Sequence, residues 1–142
     1  MRKSGVAVTR SVCFDVPALP MSMNEWRRKH WSVRHQESKR WDALLRMAAL
    51  RLGVTFTGPV RVRITFGVTT RRRFDPDNHA KNVLDAIVSA GLIEDDSAPN
   101  LVSLTLSARL ADTPTTEIMI EQADAPAWES AAAKKGRRTS AA

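Results

Sequence analysis

The residues most able to do chemistry crowd into one stretch, Arg71 to Ser97, which reads RRRFDPDNHAKNVLDAIVSAGLIEDDS. Arg71, Arg72 and Arg73 run into two aspartates, Asp75 and Asp77, with Pro76 between them. Asn78 follows, Lys81 comes one helical turn later, and Asp95-Asp96 closes the segment. The chain carries a net charge of +7, yet six of its 15 acidic residues (Asp75, Asp77, Asp85, Glu94, Asp95, Asp96) fall within this stretch. A basic protein that gathers carboxylates in one place is suited to holding a divalent cation against a polyanion. Hard oxygen donors of this kind fit Mg²⁺, with Mn²⁺ as a substitute. One or two such ions can act on a phosphodiester, activating water on one side and stabilising the leaving oxygen on the other. Lys81 could add positive charge beside the phosphate as negative charge develops.

Local structure must place these groups. Proline at 76 pushes Asp75 into an extended conformation. Two residues apart on such a backbone, Asp75 and Asp77 project to the same side. A helix is expected to start at Asp77 or Asn78, with Val83, Leu84 and Ile87 towards the core, a stop at Gly91, and Leu92 packing just after the cap. Asp95 and Asp96 lie past its far end, where a return turn could bring one back towards the first pair. The plainer alternative makes Asp77 an N-cap, Lys81 and Asp85 an i,i+4 ion pair, and Asp95-Asp96 turn formers. It leaves Asp75 and the three arginines without a task.

Around this segment the pattern predicts an α+β single domain in β-α-β-α-β-β order, a mixed or antiparallel sheet with helices packed on it. Alternation from Val6 to Val16 predicts a first strand, ended by Pro17 and Pro20. The stretch Pro20 to Trp31 has no period and is expected to be a loop. Ser32 is placed to cap a helix from about Val33 to Leu52, in which Trp41, Leu44, Leu45 and Ala48 recur at core spacing and Gly53 supplies the end. Val60, Val62, Ile64 and Phe66 alternate with Arg61, Arg63 and Thr65, predicting a strand with one dry face and one wet, basic face. Strands near Leu101–Leu110 and Thr115–Glu121 are expected to form a hairpin through Asp112 to Pro114. Domain boundaries fall at 1–123, with a basic tail at 124–142 expected to be disordered.

Composition narrows the class. At 142 residues the chain is about one domain long, and its pI near 10.5 points to nucleic acid or an anionic surface. No apolar run approaches the roughly 18 residues needed to span a membrane, and the N-terminus lacks the apolar centre of a secretion signal. A single cysteine, Cys13, excludes an internal disulfide and suits a reducing cytoplasm. It is expected to pack as a small apolar residue on the first strand. Trp26, Arg27, Arg28, Lys29, His30 and Trp31 interleave aromatics with charge, which suits distorted or single-stranded DNA, although either tryptophan could instead pack under the loop. His30 and His35 are poorly spaced as joint ligands, and His79 is expected to be an exposed residue at a helix start.

The pattern R-R-R-x-D-x-D-N, then Lys81, then D-A and A-G, then Asp95-Asp96, resembles the RusA-type Holliday-junction resolvases, small homodimeric endonucleases of phages and prophages. The likeness extends to Pro20-Met21-Ser22-Met23-Asn24, similar to the family's P-P-S-x-N loop, and covers roughly positions 7 to 122. It implies a RusA-like fold and Mg²⁺-dependent incision of four-way DNA junctions by a symmetric dimer, with paired nicks. By resemblance, Asp75, Asp77 and Asp96 are metal-binding catalytic aspartates and Lys81 is the catalytic lysine, with Asn78 and Asp95 in support. Arg71, Arg72, Arg73 and the loop bearing Asn24, Arg27, Arg28 and Lys29 would bind the arms, and Trp26 and Trp31 could stack on bases. Met21 stands where the family has a second proline, and Phe74 where a further basic residue is common. Two other classes compete: a non-catalytic nucleic-acid-binding module, and a metal nuclease acting on flaps, forks or RNA.

Overall fold

In the computed structural model, which describes residues 10–124, Val60, Val62, Ile64 and Phe66 are each no more than 2% exposed, while Arg61 and Arg63 between them reach solvent. That alternation builds the central strand, β2 (Val60–Val68). The other elements are β1 (Ser11–Val16), α1 (Met23–Arg28), α2 (Trp31–Leu52), a 3₁₀ turn at Pro76–Asn78, α3 (Ala80–Ser89), β3 (Leu101–Leu110) and β4 (Thr115–Gln122). The sheet order is β1-β4-β2-β3. β2 and β3 are parallel, joined through α3, and β4 lies antiparallel to both β1 and β2. The architecture is therefore α+β with a mixed sheet, as the pattern predicts.

The expected hairpin does not form. β3 and β4 lie on opposite sides of β2, so the connection Ala111–Pro114 crosses the end of that strand. Ala111 N–H donates to Val68 C=O at 2.8 Å during the crossing. Gly67 makes the passage possible, because a side chain there would overlap Thr115 Oγ1 and Ala111 Cβ.

One face of the sheet carries the core. Ile64 sits between Ile118 of β4 and Leu106 of β3, and Val62 between Ile120 and Leu104. Trp41 and Leu45 from α2, and Val83 and Ile87 from α3, close over this row with no exposed surface. Each such aliphatic side chain contributes about 1.5–3 kcal/mol on burial. Trp41 is thus a core residue, as its spacing predicts. Both predicted glycine ends are present: Gly53 (φ 63°) ends α2 and Gly91 (φ 79°) follows α3. Leu92 N–H then bonds back to Ile87 C=O at 3.2 Å and its side chain is fully buried.

Several local expectations need correction. Residues 23–28 form a helix rather than a loop, because Ser22 Oγ accepts the Glu25 N–H at 3.1 Å and caps a turn too short to show a period. His30, not Ser32, caps α2: its Nδ1 accepts the Ser32 N–H at 3.2 Å, and the helix starts at Trp31. Cys13 is exposed rather than packed, because it points to the uncovered face of the sheet. β1 begins at Ser11, and both residues 1–9 and the tail from 125 lie outside the described residues. Among the described residues no helix is long and apolar enough to cross a membrane.

Candidate active site

β1, β2 and β3 all run in one direction, so the chain leaves each at the same end of the sheet. Sites in sheets of this kind form beyond the carboxyl ends of parallel strands. Two of the sequence-predicted segments emerge there, Pro17–Ser22 after β1 and Thr69–Asp75 after β2. The first is pinned by Thr116 Oγ1–H, buried, donating to Ala18 C=O at 2.7 Å, and by Met21 N–H donating to Glu37 on α2 at 3.0 Å.

The second segment is held by rings. Phe74 packs on the buried Phe66 (centroids 5.3 Å apart), and His79 stacks on Phe74 at 4.1 Å with 21° between planes. His79 Nδ1 also lies 2.9 Å from the Asp75 carbonyl oxygen, positioned to donate to it. His79 is therefore half-buried and not an exposed residue, since the helix starts not at Asp77 or Asn78 but at Ala80, after a 3₁₀ turn. The intervening Pro76–Asn78 is a 3₁₀ turn, with Asn78 N–H donating to Asp75 C=O at 3.0 Å. Asp75 is extended (φ −102°, ψ 101°), as its proline neighbour demands, and its carboxylate accepts from Arg73 Nε at 3.3 Å. Asp77 is exposed in the turn. Neither Phe74 nor His79 was legible as a support from spacing, although an apolar residue amid RRR and DPD is the signal that could have found it.

Lys81 gathers a second group. Its Nζ lies 2.9 Å from Asp85 Oδ1 and 3.4 Å from Asp96 Oδ2. The hydrogen bond to Asp85, reinforced by the charge of Asp96, raises its pKa above the ordinary lysine value despite some desolvation. The chain after α3 thus does fold back, bringing Asp96 to Lys81. Asp95 is a turn former: it accepts Asp96 N–H at 2.8 Å and Ser97 Oγ–H at 2.7 Å, which together hold its pKa below the usual carboxylate range. Glu94 caps the turn at Gly58 N–H, far from this chemistry.

Lys81 therefore gathers Asp85 and Asp96, while Asp75 and Asp77 are neighbours through the Pro76–Asn78 turn, Asp75 paired with Arg73. Among the described residues no three His, Cys, Asp or Glu side chains gather into a ready-made metal cage. The donor chemistry nonetheless fits Mg²⁺, which is commonly bound through one or two carboxylates while keeping waters and taking substrate phosphate oxygens.

The basic residues spread around these groupings. Arg71 and Arg72 are exposed, and Arg73 has a side chain 88% exposed even while pairing with Asp75. Asn24, Arg27, Arg28 and Lys29 stand exposed on α1 or at its end, Lys29 within 3.9 Å of Glu25. Trp31 is 65% exposed with its ring against His30, and Trp26 is half-buried. A groove of about 410 Å³ near Leu50 and Gly53 is lined by none of the site residues.

No curated protein matches the chain. The profile of the family described as Endodeoxyribonuclease RusA matches residues 15–121, about three-quarters of the sequence, from the end of β1 to the penultimate residue of β4. With the mixed α+β fold and the DPDN–Lys81–Asp96 arrangement in place, the chain belongs to the RusA family of endodeoxyribonucleases, nucleases that act on branched DNA junctions.

Proposed function

We propose that this chain resolves four-way DNA junctions as a homodimer, by Mg²⁺-dependent hydrolysis at a site built from Asp75, Asp77, Asp96 and Lys81. The observation that supports this reading is the short step from the Pro76–Asn78 turn into α3, which puts Lys81, paired with both Asp85 and Asp96, four residues after Asp77. Asp75, Asp77 and Asp96 would hold the cation, through carboxylate oxygens that already sit in solvent or on a labile ion pair. When bound, a cation of this kind lowers the pKa of water and offsets charge on the phosphate.

The chain's own groups divide the remaining tasks. Lys81 presents its ammonium to a non-bridging phosphate oxygen, and its raised pKa keeps it charged at neutral pH. Arg73, resting on Asp75, can exchange that carboxylate for a phosphate oxygen with little loss, because exposed ion pairs contribute only about 0–1 kcal/mol. Arg71, Arg72 and the α1 cations would bind the arms, and Trp31 offers a stacking surface. A junction has two-fold symmetry, so a two-fold dimer sets one site on each of two opposed strands.

The test is cleavage of a four-way junction, linear duplex and flap DNA, each with and without Mg²⁺. Junction cleavage confined to the Mg²⁺ arm is expected, and equal rates on all three substrates would overturn the junction preference. Asp75→Asn should bind junctions as the wild type does and cut none. Mixed dimers of wild-type and Asp75→Asn subunits should leave single nicks.

A further inference from the structure

At the start of the acidic segment, a groove of about 310 Å³ opens where β2 and β3 end. It is lined by Val68, Thr70, Phe74, Ala108 and Leu110 together with Arg71, Arg72 and Arg109. Arg71 and Arg72 come from the loop after β2, and Arg109 from β3, so the fold and not the sequence brings them together. None of the three has a carboxylate partner among the described residues, and no acidic side chain lines the groove. Leu110 is 45% exposed, a large apolar side chain left wet amid guanidinium groups.

A lining that mixes apolar side chains with arginines lacking carboxylate partners fits a ligand that is flat and apolar on one part and anionic on another. A nucleotide with its base out of the stack has that chemistry. The volume, at the lower end of the roughly 300–1,000 Å³ typical of small-ligand sites, admits one such unit and not a helix. Paired duplex buries its base faces, whereas a branch point offers a base whose unstacking costs least. Arg72 precedes Asp75 by three residues, so their Cα atoms lie at most about 11 Å apart. We infer that this groove seats one unstacked nucleotide of the branch point, its base against Phe74 and Leu110 and its flanking phosphates on Arg71, Arg72 and Arg109. The inference rests on the junction reading above. It adds a residue, Arg109, and a means of telling a junction from plain duplex.

The full chain, in buffer without divalent cation, is photo-crosslinked to four-way junctions carrying 5-iododeoxyuridine at the branch point or far out in one arm. Only the branch-point probe should label peptides containing residues 70–74 or 108–110. Ala108→Trp, which fills the groove from an exposed strand position, should weaken junction binding about tenfold, the order of one lost stacking contact, and leave linear-duplex binding within twofold. Arg109→Ala should act in the same direction, more weakly. Branch-point labelling confined to other peptides would overturn the proposal. So would junction and duplex affinities that fall together, no change in either, or an altered oligomeric state in place of altered binding. Should Ala108→Trp lower the melting temperature, Leu110→Ser at the exposed rim gives the same comparison. Wild-type cleavage with Mg²⁺ is scored separately. Groove labelling without cleavage sinks the nuclease reading and keeps the nucleotide seat, while cleavage without groove labelling does the reverse.

Discussion

Two stretches supply the candidate carboxylates, and opposite means hold them. The Asp75–Asp77 turn is fastened by aromatic packing, Phe74 and His79 against the buried Phe66, and by bonds to the Asp75 carbonyl. The Asp95–Asp96 turn is fastened by polar contacts in solvent: Ser97, a backbone N–H and Lys81. Packing of the first kind is indifferent to salt and keeps its geometry when partners change. Contacts of the second kind are screened and easily exchanged. One half of the site is thus a fixed platform, and the other can re-partner when a cation or phosphate arrives.

Substitutions can break this contrast, and the largest effect should come from the platform. Phe74→Ala should lower stability by about 2 kcal/mol, less than the 3–5 typical of fully buried Phe→Ala because the ring is half-buried, and reduce cleavage by more than about 100-fold. Thermal unfolding and single-turnover cleavage would check both, and a stable but inactive variant would show that the ring orients rather than supports. Lys81→Gln should cut the rate by about 10²–10³-fold, the usual loss of one transition-state cation contact. Its stability should change by less than about 0.5 kcal/mol, since the ion pairs are half exposed. A large shift in melting temperature would instead make Lys81 structural.

The charge of Lys81 should not limit activity in the neutral range. Its folded-state pKa is raised, so the stability it adds is complete below about pH 10.4 and is lost only as pH rises through the raised value. An activity loss between pH 6 and 9 that vanished in Lys81→Arg would contradict this. The smallest effect belongs to Ser97→Ala, which removes the leading bond to Asp95. Asp95 has a lowered pKa, so its contribution is present above about pH 3.9 and fades as pH falls through the lowered value. Ser97→Ala should move that fading to higher pH, visible in acid unfolding, with cleavage at neutral pH reduced only a few-fold.

What could be read in advance divides along the same line between local and distant contacts. Val60 to Phe66, Trp41, Gly53 and Gly91 announced their roles because alternation, helical spacing and left-handed caps are properties of short windows. The six residues of α1 escaped because one capped turn shows no period. The β3–β4 pairing was misread because a four-residue link between two strands looks like a hairpin turn, and only Gly67, remote in sequence, makes room for the crossing. Asp75, Asp77 and Lys81 could be nominated from their types and spacing, whereas the choice of Asp96 over Asp95 came only from the family resemblance. Phe74, His79 and Arg109 could not be given their places, since those depend on which strand ends meet.

The placement of β4 has a consequence for synthesis. The last strand among the described residues occupies an inner place in the sheet, paired with β1 on one side and β2 on the other. While it is still inside the ribosome, β1 has no partner, Ile64 and Val62 lack half their row, and Thr116 cannot fasten the loop after β1. The arginines and aspartates are translated long before that, but the scaffold that sets them relative to one another is not. The geometry of the site is thus complete only once residues 115–122 have joined the sheet.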